Sequence, residues 1–440
     1  MHSKMFHVSR RQFLKTSAVA AAATGLPGWF FERDVAEAAP ARKRLGPNDR
    51  PGIALIGCGG RGCSDASAAK AFGDIVAVCD VDEQHVEGAA KQFTVKGKVP
   101  VKYRDFRKAM ARGDVHVIVN GTPDHWHTVV NLLAVRSGKD VYSEKPLTLT
   151  IDEGKRLVEA VRKHKTIFQV GSQQRSDAKF RLACELVRNG RIGKLQHMLV
   201  GLPTGPREGP FAPIPVPPEL DWDFYVGQTP KVAYNGKNCH WNFRWWWQFS
   251  GGQMTDWGAH HNDIAQWANG TERSGPVEVH GQSLVDMIPG GYDAAAEYEV
   301  NFKYASGVTM KVVDEKRAPN GVKFIGPDGW IFVSRGKIEA SSPELLTDPL
   351  PANAVRLYKS DNHMANFFDC VRSRKAPICE AEIGHRSITV AHLGVISVRM
   401  GGVPLKWDPR KEKFVGERAK EANRWLSREL RKPYDYSFIA

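Results

Sequence analysis

The feature that most constrains this chain is a glycine pattern between a short apolar run and a helical pattern. Residues 53–56 form the apolar run, and Gly57-x-Gly59-x-x-Gly62 follows it directly. Asp80 stands 18 residues beyond Gly62, at the end of the next apolar run. Glycines at these positions allow a tight turn, close approach to a pyrophosphate, and close packing of a helix on a strand. The spacing predicts a dinucleotide-binding Rossmann unit, although a purely structural glycine turn would also satisfy it.

Residues in and after this loop favour NAD as the cofactor. Asp80 would accept hydrogen bonds from the ribose hydroxyls and repel a 2′-phosphate. Arg61 keeps NADP possible, because a guanidinium can engage a phosphate. The loop residues predicted to contact the cofactor are Gly57, Gly59, Gly60, Arg61 and Gly62.

Two different patterns divide the chain. Apolar runs alternate with helical patterns over residues 51–172, which predicts an α/β Rossmann domain with a doubly wound parallel sheet. Residues 201–231 are rich in Pro and Gly without a clear element, and residues 296–314 alternate as in an open mixed or antiparallel sheet. We therefore expect a linker at 39–50, the NAD(P)-binding Rossmann domain at 51–172, an α+β substrate and oligomerisation domain at 173–375, and a C-terminal helical return and tail at 376–440.

The N-terminus has the pattern of an export signal. Ser9-Arg10-Arg11-Gln12-Phe13-Leu14-Lys15 precedes a mild apolar run at 18–31, and Ala36 and Ala38 are small residues suited to signal peptidase. This predicts a twin-arginine signal at 1–38, the twin-arginine export machinery as a partner, and a periplasmic or otherwise exported location. An uncleaved anchor or a chance basic helix are the alternatives. An outer compartment has no free nicotinamide pool, so the cofactor would be loaded before export and tightly bound.

Charge and cysteine content exclude some classes of protein. The 440-residue chain has a formal charge of +14, but its basic residues are scattered and not interleaved with aromatics in a nucleic-acid-binding pattern. We therefore expect no nucleic acid partner. The seven cysteines are odd in number and include no Cys-x-x-Cys pair, which argues against a disulfide framework or a structural zinc site.

Further motifs identify a family. Glu144-Lys145-Pro146 follows the fifth predicted Rossmann strand, Thr122-Pro123-Asp124-His125-Trp126-His127 follows the fourth, and Asp256-x-x-x-His260 lies in the second domain. With the glycine loop, these motifs resemble the glucose–fructose oxidoreductase / inositol dehydrogenase / MocA family. The resemblance implies an NAD(P)-dependent oxidoreductase that acts on a hydroxyl of a sugar or cyclitol, and we expect a homo-oligomer assembled through the open sheet. Its further expected cofactor contacts are Thr122, Pro123, His127, Glu144 and Lys145.

The same resemblance assigns Lys145, Asp256 and His260 to catalysis. Asp256 and His260 are spaced i, i+4, so both face one side if the stretch is helical. Lys145 would hydrogen-bond the reacting oxygen, His260 would take the hydroxyl proton, and Asp256 would orient the site. The alternative is that Asp256 caps a helix and His260 is only buried. His261 points about 100° away on a helix and is the more structural of the two histidines.

Substrate contacts are expected from the aromatic stretch and its surroundings. Three consecutive tryptophans cannot all face inward, and aromatic faces stack well on sugar rings. Packing in the core or between subunits is the alternative for each tryptophan. His125 and His127 could bind a metal with His240 or His261, but no acidic partner has suitable spacing, so we predict no metal. The candidate substrate contacts are His125, Arg175, Arg244, Trp245 and His261.

Two other functions remain open. One is an NAD-dependent redox-neutral glycosidase or lyase, which oxidises a ring hydroxyl, eliminates the aglycone beside the ketone, and reduces the product. The other is a non-catalytic nucleotide- or sugar-binding protein, against which Lys145, Asp256 and His260 together argue.

Overall fold

The computed structural model describes residues 49–436, so the predicted signal at 1–38 and most of the predicted linker lie outside the described residues. The first sheet has six parallel strands in the order β3-β2-β1-β4-β5-β6, which confirms the doubly wound prediction. The order reverses between β1 and β4, where doubly wound sheets form a binding crevice at their carboxyl ends. The strands are β1 Gly52–Ile56, β2 Asp74–Cys79, β3 Val101–Tyr103, β4 Val117–Asn120, β5 Asp140–Ser143 and β6 Phe168–Val170.

Helices cover both faces of this sheet, which explains why every residue of β1 and β4 is buried. The helix after β5 shows how local sequence fixes its start, since Thr150 and Glu153 form a capping box. Its apolar face consists of Leu157, Val158 and Val161 and packs into the core. The helices are α1 Gly60–Ala69, α2 Glu83–Gln92, α3 Phe106–Met110, α4 Asp124–Arg136 and α5 Ile151–His164.

The second sheet has nine strands in the order β13-β12-β11-β7-β10-β9-β8-β14-β15. Strands β7 and β10 pair in parallel and their other neighbours are antiparallel, so the sheet is mixed, as predicted. The interior strand β7 and the last two strands at one side of the sheet, β14 and β15, were not anticipated from the sequence. The strands are β7 His197–Leu202, β8 Glu278–Ser283, β9 Tyr298–Lys303, β10 Thr309–Asp314, β11 Gly321–Gly326, β12 Gly329–Ser334, β13 Lys337–Ala340, β14 Leu405–Asp408 and β15 Lys413–Val415.

One face of this sheet packs against helices around a core that includes Val300, Val312 and Phe324. The long helix α12 lies between the two sheets and contacts α5 on one side and α9 and β8 on the other. The remaining helices are α6 Ala178–Arg188, α7 Trp222–Val226, α8 Gln253–Asp256, α9 Gly258–Asn269, α10 Glu344–Thr347, α11 His363–Ser373, α12 Ala381–Arg399 and α13 Ala419–Ala422, of which α11 packs against the core of the first sheet.

Two global properties complete the description of residues 49–436. None of the helices in this range is both long enough and apolar enough to span a bilayer. All seven cysteines fall within it, and each of them is a free thiol.

Candidate active site

A cavity of about 600 Å³ lies where the carboxyl ends of the first sheet meet helices α8 and α9 of the second domain. Its walls include the loop after β1, the residues after β2, β4 and β5, and the residues around Asp256. Because both domains contribute to it, a bound molecule would touch the nucleotide fold and the second domain at once.

The glycine loop forms one wall of this cavity. Gly57 has a φ of +86°, and a Cβ there would lie 2.5 Å from the Thr122 nitrogen. A Cβ on Gly62 would lie 2.0 Å from the Gly57 oxygen, so α1 can approach the loop only with glycine there. In contrast, nothing lies within 4 Å of a Cβ built on Gly59 or Gly60, and both residues face the cavity. The helix N-terminus beside this open space fits a pyrophosphate.

Asp80 lies at the other end of the glycine loop and also lines the cavity. Its Oδ2 accepts a hydrogen bond from the Cys58 nitrogen at 2.6 Å, and its Oδ1 accepts one from the Asp82 nitrogen at 3.0 Å. The Asp80 carboxylate therefore holds the loop in shape as well as facing the space where a ribose would lie. The open glycine wall and this carboxylate together fit a dinucleotide.

Arg61 has partners that limit what else it can bind. Its Nη2 lies 2.7 Å from Asp65 and 2.9 Å from Glu144, which in turn accepts a hydrogen bond from Gln173 at 3.0 Å. Burial opposes ionisation of Glu144, but the charges of Arg61 and Lys145 outweigh it and lower the pKa of Glu144. Since the charge of Arg61 is already paired, the structure weakens the case for Arg61 as an anchor of a 2′-phosphate.

A segment of the second domain covers the cavity, and we call residues 219–245 the covering segment. It is bonded to the residues just after Asp80, because the Asp221 nitrogen donates to Val81 O at 3.0 Å and His240 Nε2 lies 3.2 Å from Asp82 Oδ2. Between these contacts and the catalytic candidates, the ring of Trp241 lines the cavity and is 67% exposed. The covering segment thus spans the length of the predicted cofactor site.

Lys145 and Asp256 meet at the opposite end of the cavity from Asp80. The Lys145 Nζ lies 2.6 Å from Asp256 Oδ1 and donates to the Asp256 carbonyl oxygen at 3.0 Å. Arg244 Nε lies 3.4 Å from the same carboxylate oxygen. Burial opposes ionisation of Asp256, yet the charges of Lys145 and Arg244 prevail and lower its pKa. An ammonium with three donors and two protein acceptors has one donor left for a ligand.

His260 lies one turn beyond Asp256, and both side chains line the cavity, as the i, i+4 spacing indicated. The imidazole is buried, and its Nδ1 makes no hydrogen bond with any residue of the described part. Burial, followed by the positive charges of Lys145 and Arg335, lowers the pKa of His260 well below its ordinary range. The ring is therefore neutral near pH 7 and able to accept a proton.

Other predicted cofactor contacts divide into two groups. Thr122, Pro123 and Glu144 line the cavity, as expected of cofactor contacts. His127 does not, because its Nδ1 lies 2.6 Å from Pro146 O and its Nε2 2.8 Å from Thr122 O. We therefore revise its role from a cofactor contact to a buried bridge that positions the Thr122 and Lys145 loops.

Four of the five predicted substrate contacts lie outside the cavity wall. Arg175 is buried in a two-point ion pair with Asp263, at 2.7 and 2.8 Å, which uses its charge. His261 Nε2 lies 2.6 Å from Asn320 Oδ1, consistent with the more structural role that its helical position predicted. These two residues support the second domain and are corrected from substrate contacts to structural residues.

His125 and Trp245 are corrected in the same way. His125 Nε2 lies 2.8 Å from the Tyr225 carbonyl oxygen, and complete burial lowers the pKa of His125 to about 3. The Trp245 ring is buried beside Tyr292, and its carbonyl accepts hydrogen bonds from the nitrogens of Asp293 and Ala294. Of the five substrate candidates, Arg244 lines the cavity.

Sequence reasoning missed many of the cavity residues, and three of them carry large aromatic or charged side chains near the catalytic candidates. Trp257 could have been found from the sequence, because it is an aromatic residue that directly follows the catalytic candidate Asp256. Trp241 was part of the aromatic stretch but was not singled out. Arg335 lies in the hairpin turn between β12 and β13, where no motif marks it.

One set of potential metal ligands occurs among residues 49–436. Asp82, His85 and His240 place ligand atoms within 4.8 Å of one another. Each already has a protein partner: Asp82 Oδ1 caps α2, Asp82 Oδ2 faces His240, and the His85 Nδ1 lies 3.6 Å from Asp80. The metal grouping considered from the sequence, which used His125 and His127, does not form because both rings are bonded to carbonyl oxygens.

Comparison with known proteins matches both domains to one family. The model described as oxidoreductase family, NAD-binding Rossmann fold, matches residues 52–172, and the model described as oxidoreductase family, C-terminal alpha/beta domain, matches residues 207–436. A model of the twin-arginine translocation signal matches residues 7–27, which supports export through that pathway and the predicted periplasmic or exported location.

Individual relatives are distant. A Glycosyl hydrolase family 109 protein of Shewanella pealeana is 26% identical over 206 residues, which cover 43% of this chain and 45% of that protein. The scyllo-inositol 2-dehydrogenase (NAD(+)) of Bacillus subtilis is 25% identical over 68% of this chain and 79% of its own length. The WlbA dehydrogenase of Bordetella pertussis, solved with NADH and UDP-GlcNAcA, shares the fold with a TM-score of 0.62 at 18% identity, over 82% of this chain and 99% of that one.

Proposed function

Because this chain belongs to the glucose–fructose oxidoreductase / inositol dehydrogenase / MocA family of NAD-binding oxidoreductases, we propose that it oxidises a hydroxyl of a sugar or cyclitol by hydride transfer to NAD. One observation carries the proposal: Lys145, Asp256 and His260 line the same cavity as the glycine loop and Asp80. A nicotinamide in that cavity would lie beside an acid–base cluster.

The protein residues supply the proton chemistry. Bound NAD supplies the hydride acceptor. The free donor of Lys145 holds the reacting hydroxyl oxygen and stabilises negative charge as its proton leaves. The neutral imidazole of His260 accepts that proton, and Asp256 fixes the ammonium of Lys145 in place through the 2.6 Å contact. With NAD bound, the carbon-bound hydrogen would pass to the cofactor as hydride, and the alcohol would become a ketone while its hydroxyl proton goes to His260.

The covering segment supports tight binding of the cofactor. Its contacts with Val81 and Asp82 join it to the first domain beside Asp80, and at the reacting end its Arg244 contacts Asp256, which in turn contacts Lys145 of the first domain. Release of a dinucleotide would require these contacts to open. Tight binding also suits an exported protein, because the outer compartment has no nicotinamide pool to reload it.

The test is to purify the exported protein without added nucleotide, denature it, and identify the released compounds by chromatography and mass spectrometry. We expect close to one NAD or NADH per chain, and sugars that reduce the bound NAD when added to intact protein. An empty site that also fails to bind added NAD would contradict the proposal.

A redox-neutral glycosidase is the second candidate, favoured by two Glycosyl hydrolase family 109 relatives, from Shewanella pealeana and Saccharopolyspora erythraea. The same cluster would oxidise a ring hydroxyl, and loss of a proton beside the ketone would expel the aglycone and leave a double bond. Water would add to that double bond, and return of the hydride would restore the hydroxyl. Incubation with a nitrophenyl glycoside separates the two. A glycosidase releases free sugar and nitrophenol with no net change in the nicotinamide, whereas a dehydrogenase accumulates a keto sugar in proportion to reduced cofactor.

Assembly through the open face of the nine-stranded sheet stays a prediction. Its outward side chains include Lys311, which pairs with Glu299 at 3.0 Å. Light scattering on the purified protein would measure the oligomeric state directly.

A further inference from the structure

The reacting end of the cavity has more positive than negative groups. Lys145, Arg244 and Arg335 line it with the carboxylate of Asp256, and Glu144, which also lines the cavity, is paired with Arg61 at 2.9 Å. The Asp256 carboxylate already forms ion pairs with Lys145 at 2.6 Å and with Arg244 at 3.4 Å. Asp124 also reaches the wall, but it is buried and hydrogen-bonded to the Ser250 hydroxyl. One cation at this end therefore has no acid of its own.

Arg335 is that cation. Its guanidinium makes no ion pair or hydrogen bond with any residue between 49 and 436, although it lies partly exposed at the mouth of the cavity. The nearest defined contact is the face of Trp257, with the guanidinium carbon 4.5 Å from the ring centroid. The planar group is thus held by an aromatic ring while its donors remain available.

The backbone around Arg335 is well defined. Strands β12 and β13 pair through Ser334 and Lys337, so Arg335 and Gly336 form a two-residue hairpin turn. Gly336, the second residue of the turn, has a φ of +76°, a backbone conformation that glycine adopts without steric cost. A side chain on a short turn between paired strands is displaced less easily than one on a long loop, so the hairpin presents the guanidinium at a fixed place.

The placement is close to the reacting group. Trp257 stands between Asp256 and His260 in the chain, and the Trp257 and His260 rings are 5.9 Å apart. A ligand group bound to Arg335 would therefore lie about one sugar ring from His260. An anion there would also offset the positive field of Arg335, which is one of the causes that lower the pKa of His260.

From this arrangement we propose that Arg335 binds an anionic group on the substrate, so that the sugar oxidised is an acid, with its carboxylate on the guanidinium and its reacting hydroxyl at Lys145 and His260. A planar guanidinium matches a carboxylate in a two-point contact. The inference rests on the proposed oxidation and identifies the substrate class of the same site.

The test uses protein in its nucleotide-loaded form and three probes: glucuronate, glucose and glucose 6-phosphate. Reduction of bound NAD gives kcat/KM for each probe, and calorimetric titration of NADH-loaded protein gives affinity independently of turnover. We expect glucuronate to be preferred over glucose in both measurements. Arg335→Gln should reduce the glucuronate-to-glucose ratio about 10- to 100-fold, mainly through KM, as loss of a charged hydrogen bond does. Arg335→Lys should retain part of the ratio.

The matched control is Lys337→Gln in the same hairpin, because Lys337 pairs with Glu339 at 2.8 Å and does not line the cavity. This change should leave the ratio as it is. A wild-type preference for glucose, or a ratio that Arg335→Gln does not change, would overturn the inference while leaving the oxidation itself intact. A preference for glucose 6-phosphate that depends on Arg335 would overturn the carboxylate assignment and identify a phosphate as the group that Arg335 binds. If no probe reduces the cofactor, the ratio of glucuronate to glucose affinity measured by calorimetry still shows whether Arg335 binds the carboxylate.

Discussion

The Lys145 ammonium lies 2.6 Å from the Asp256 carboxylate, and this contact joins the nucleotide domain to the second domain at the reacting end of the cavity. Both side chains are largely buried, so the interaction is weakly screened by solvent. Arg244 provides a second cation to the same carboxylate. The arrangement keeps Asp256 ionised and holds the Lys145 ammonium beside the neutral ring of His260.

Lys145→Met should abolish turnover but leave the nucleotide bound. The substitution removes the donor for the reacting oxygen while Asp256 keeps Arg244 as a partner. Loss of a positioned acid–base group costs about 10²–10⁴ in rate. Steady-state oxidation and chromatography of the nucleotide released on denaturation measure the two effects. Lys155→Met is the control, since Lys155 pairs with Asp152 outside the cavity. Retained turnover in Lys145→Met would contradict the assignment.

His260→Ala and His261→Ala form a matched pair. His260 lines the cavity, whereas His261 bonds Asn320 outside it. We expect His260→Ala to lower kcat about 10²–10⁴-fold, the usual cost of removing a general base. For His261→Ala we expect a loss of stability in urea denaturation and a smaller loss of kcat than in His260→Ala. A larger loss of kcat in correctly folded His261→Ala would exchange the roles of the two histidines.

Asp80→Ala should weaken NAD binding and relax discrimination against NADP. The carboxylate faces the ribose site and also holds the Cys58 and Asp82 nitrogens. Loss of charged hydrogen bonds of about 1.5–3 kcal/mol predicts a roughly 10- to 100-fold higher Kd for NADH. Fluorescence titration of nucleotide-free protein with NADH and NADPH gives both constants. Asp80→Asn keeps an acceptor for Cys58 and should bind better than Asp80→Ala. Equal affinities in all three proteins would place the ribose elsewhere.

Stability should fall on mild acidification because several histidines are buried in neutral form. Burial lowers the pKa to about 3 for His125 and His392 and to about 4 for His261 and His363. The unfolded chain takes up protons near pH 6.5 and the folded chain does not, so the free energy of unfolding decreases below that pH. Each such histidine should contribute about 1.4 kcal/mol of this loss between pH 7.5 and 5.5.

Urea denaturation at the two pH values measures this loss. His392→Gln serves as the test variant, because His392 makes one hydrogen bond, to Thr148 O at 3.0 Å. Its loss of stability between pH 7.5 and 5.5 should be smaller than that of the wild type by about one histidine's contribution. An identical pH dependence would mean that His392 is protonated in the folded protein.

The parts of the fold that follow from local pattern were predictable. The glycine loop, β5 and α5 are specified by turn chemistry, apolar runs and a capping box, all of which act within a few residues. Strand β7 was missed because it lies at the edge of a Pro- and Gly-rich stretch and pairs with β10 and β11 more than 100 residues later. Pairing over such distances is decided by tertiary packing and leaves no short-range signal.

The candidate site divides in the same way. Lys145, Asp256 and His260 could be found because they sit in motifs with fixed spacing. Arg175 and His125 looked like ligand contacts, yet buried polar groups must find partners, and Asp263 and the Tyr225 carbonyl supply them. Arg335 was missed because a hairpin turn brings it to the cavity from a position 190 residues beyond Lys145 in the sequence.

Transfer of deuterium to the cofactor tests the central claim most directly. Nucleotide-loaded protein would be mixed with sugars, sugar acids and cyclitols that carry deuterium on every ring carbon. The nicotinamide cofactor would then be released, and its mass would be measured by mass spectrometry. We predict reduced nicotinamide one mass unit heavier than with unlabelled substrate, and no such product in Lys145→Met. Conversion of a substrate with no deuterium on the nicotinamide would contradict hydride transfer at this site.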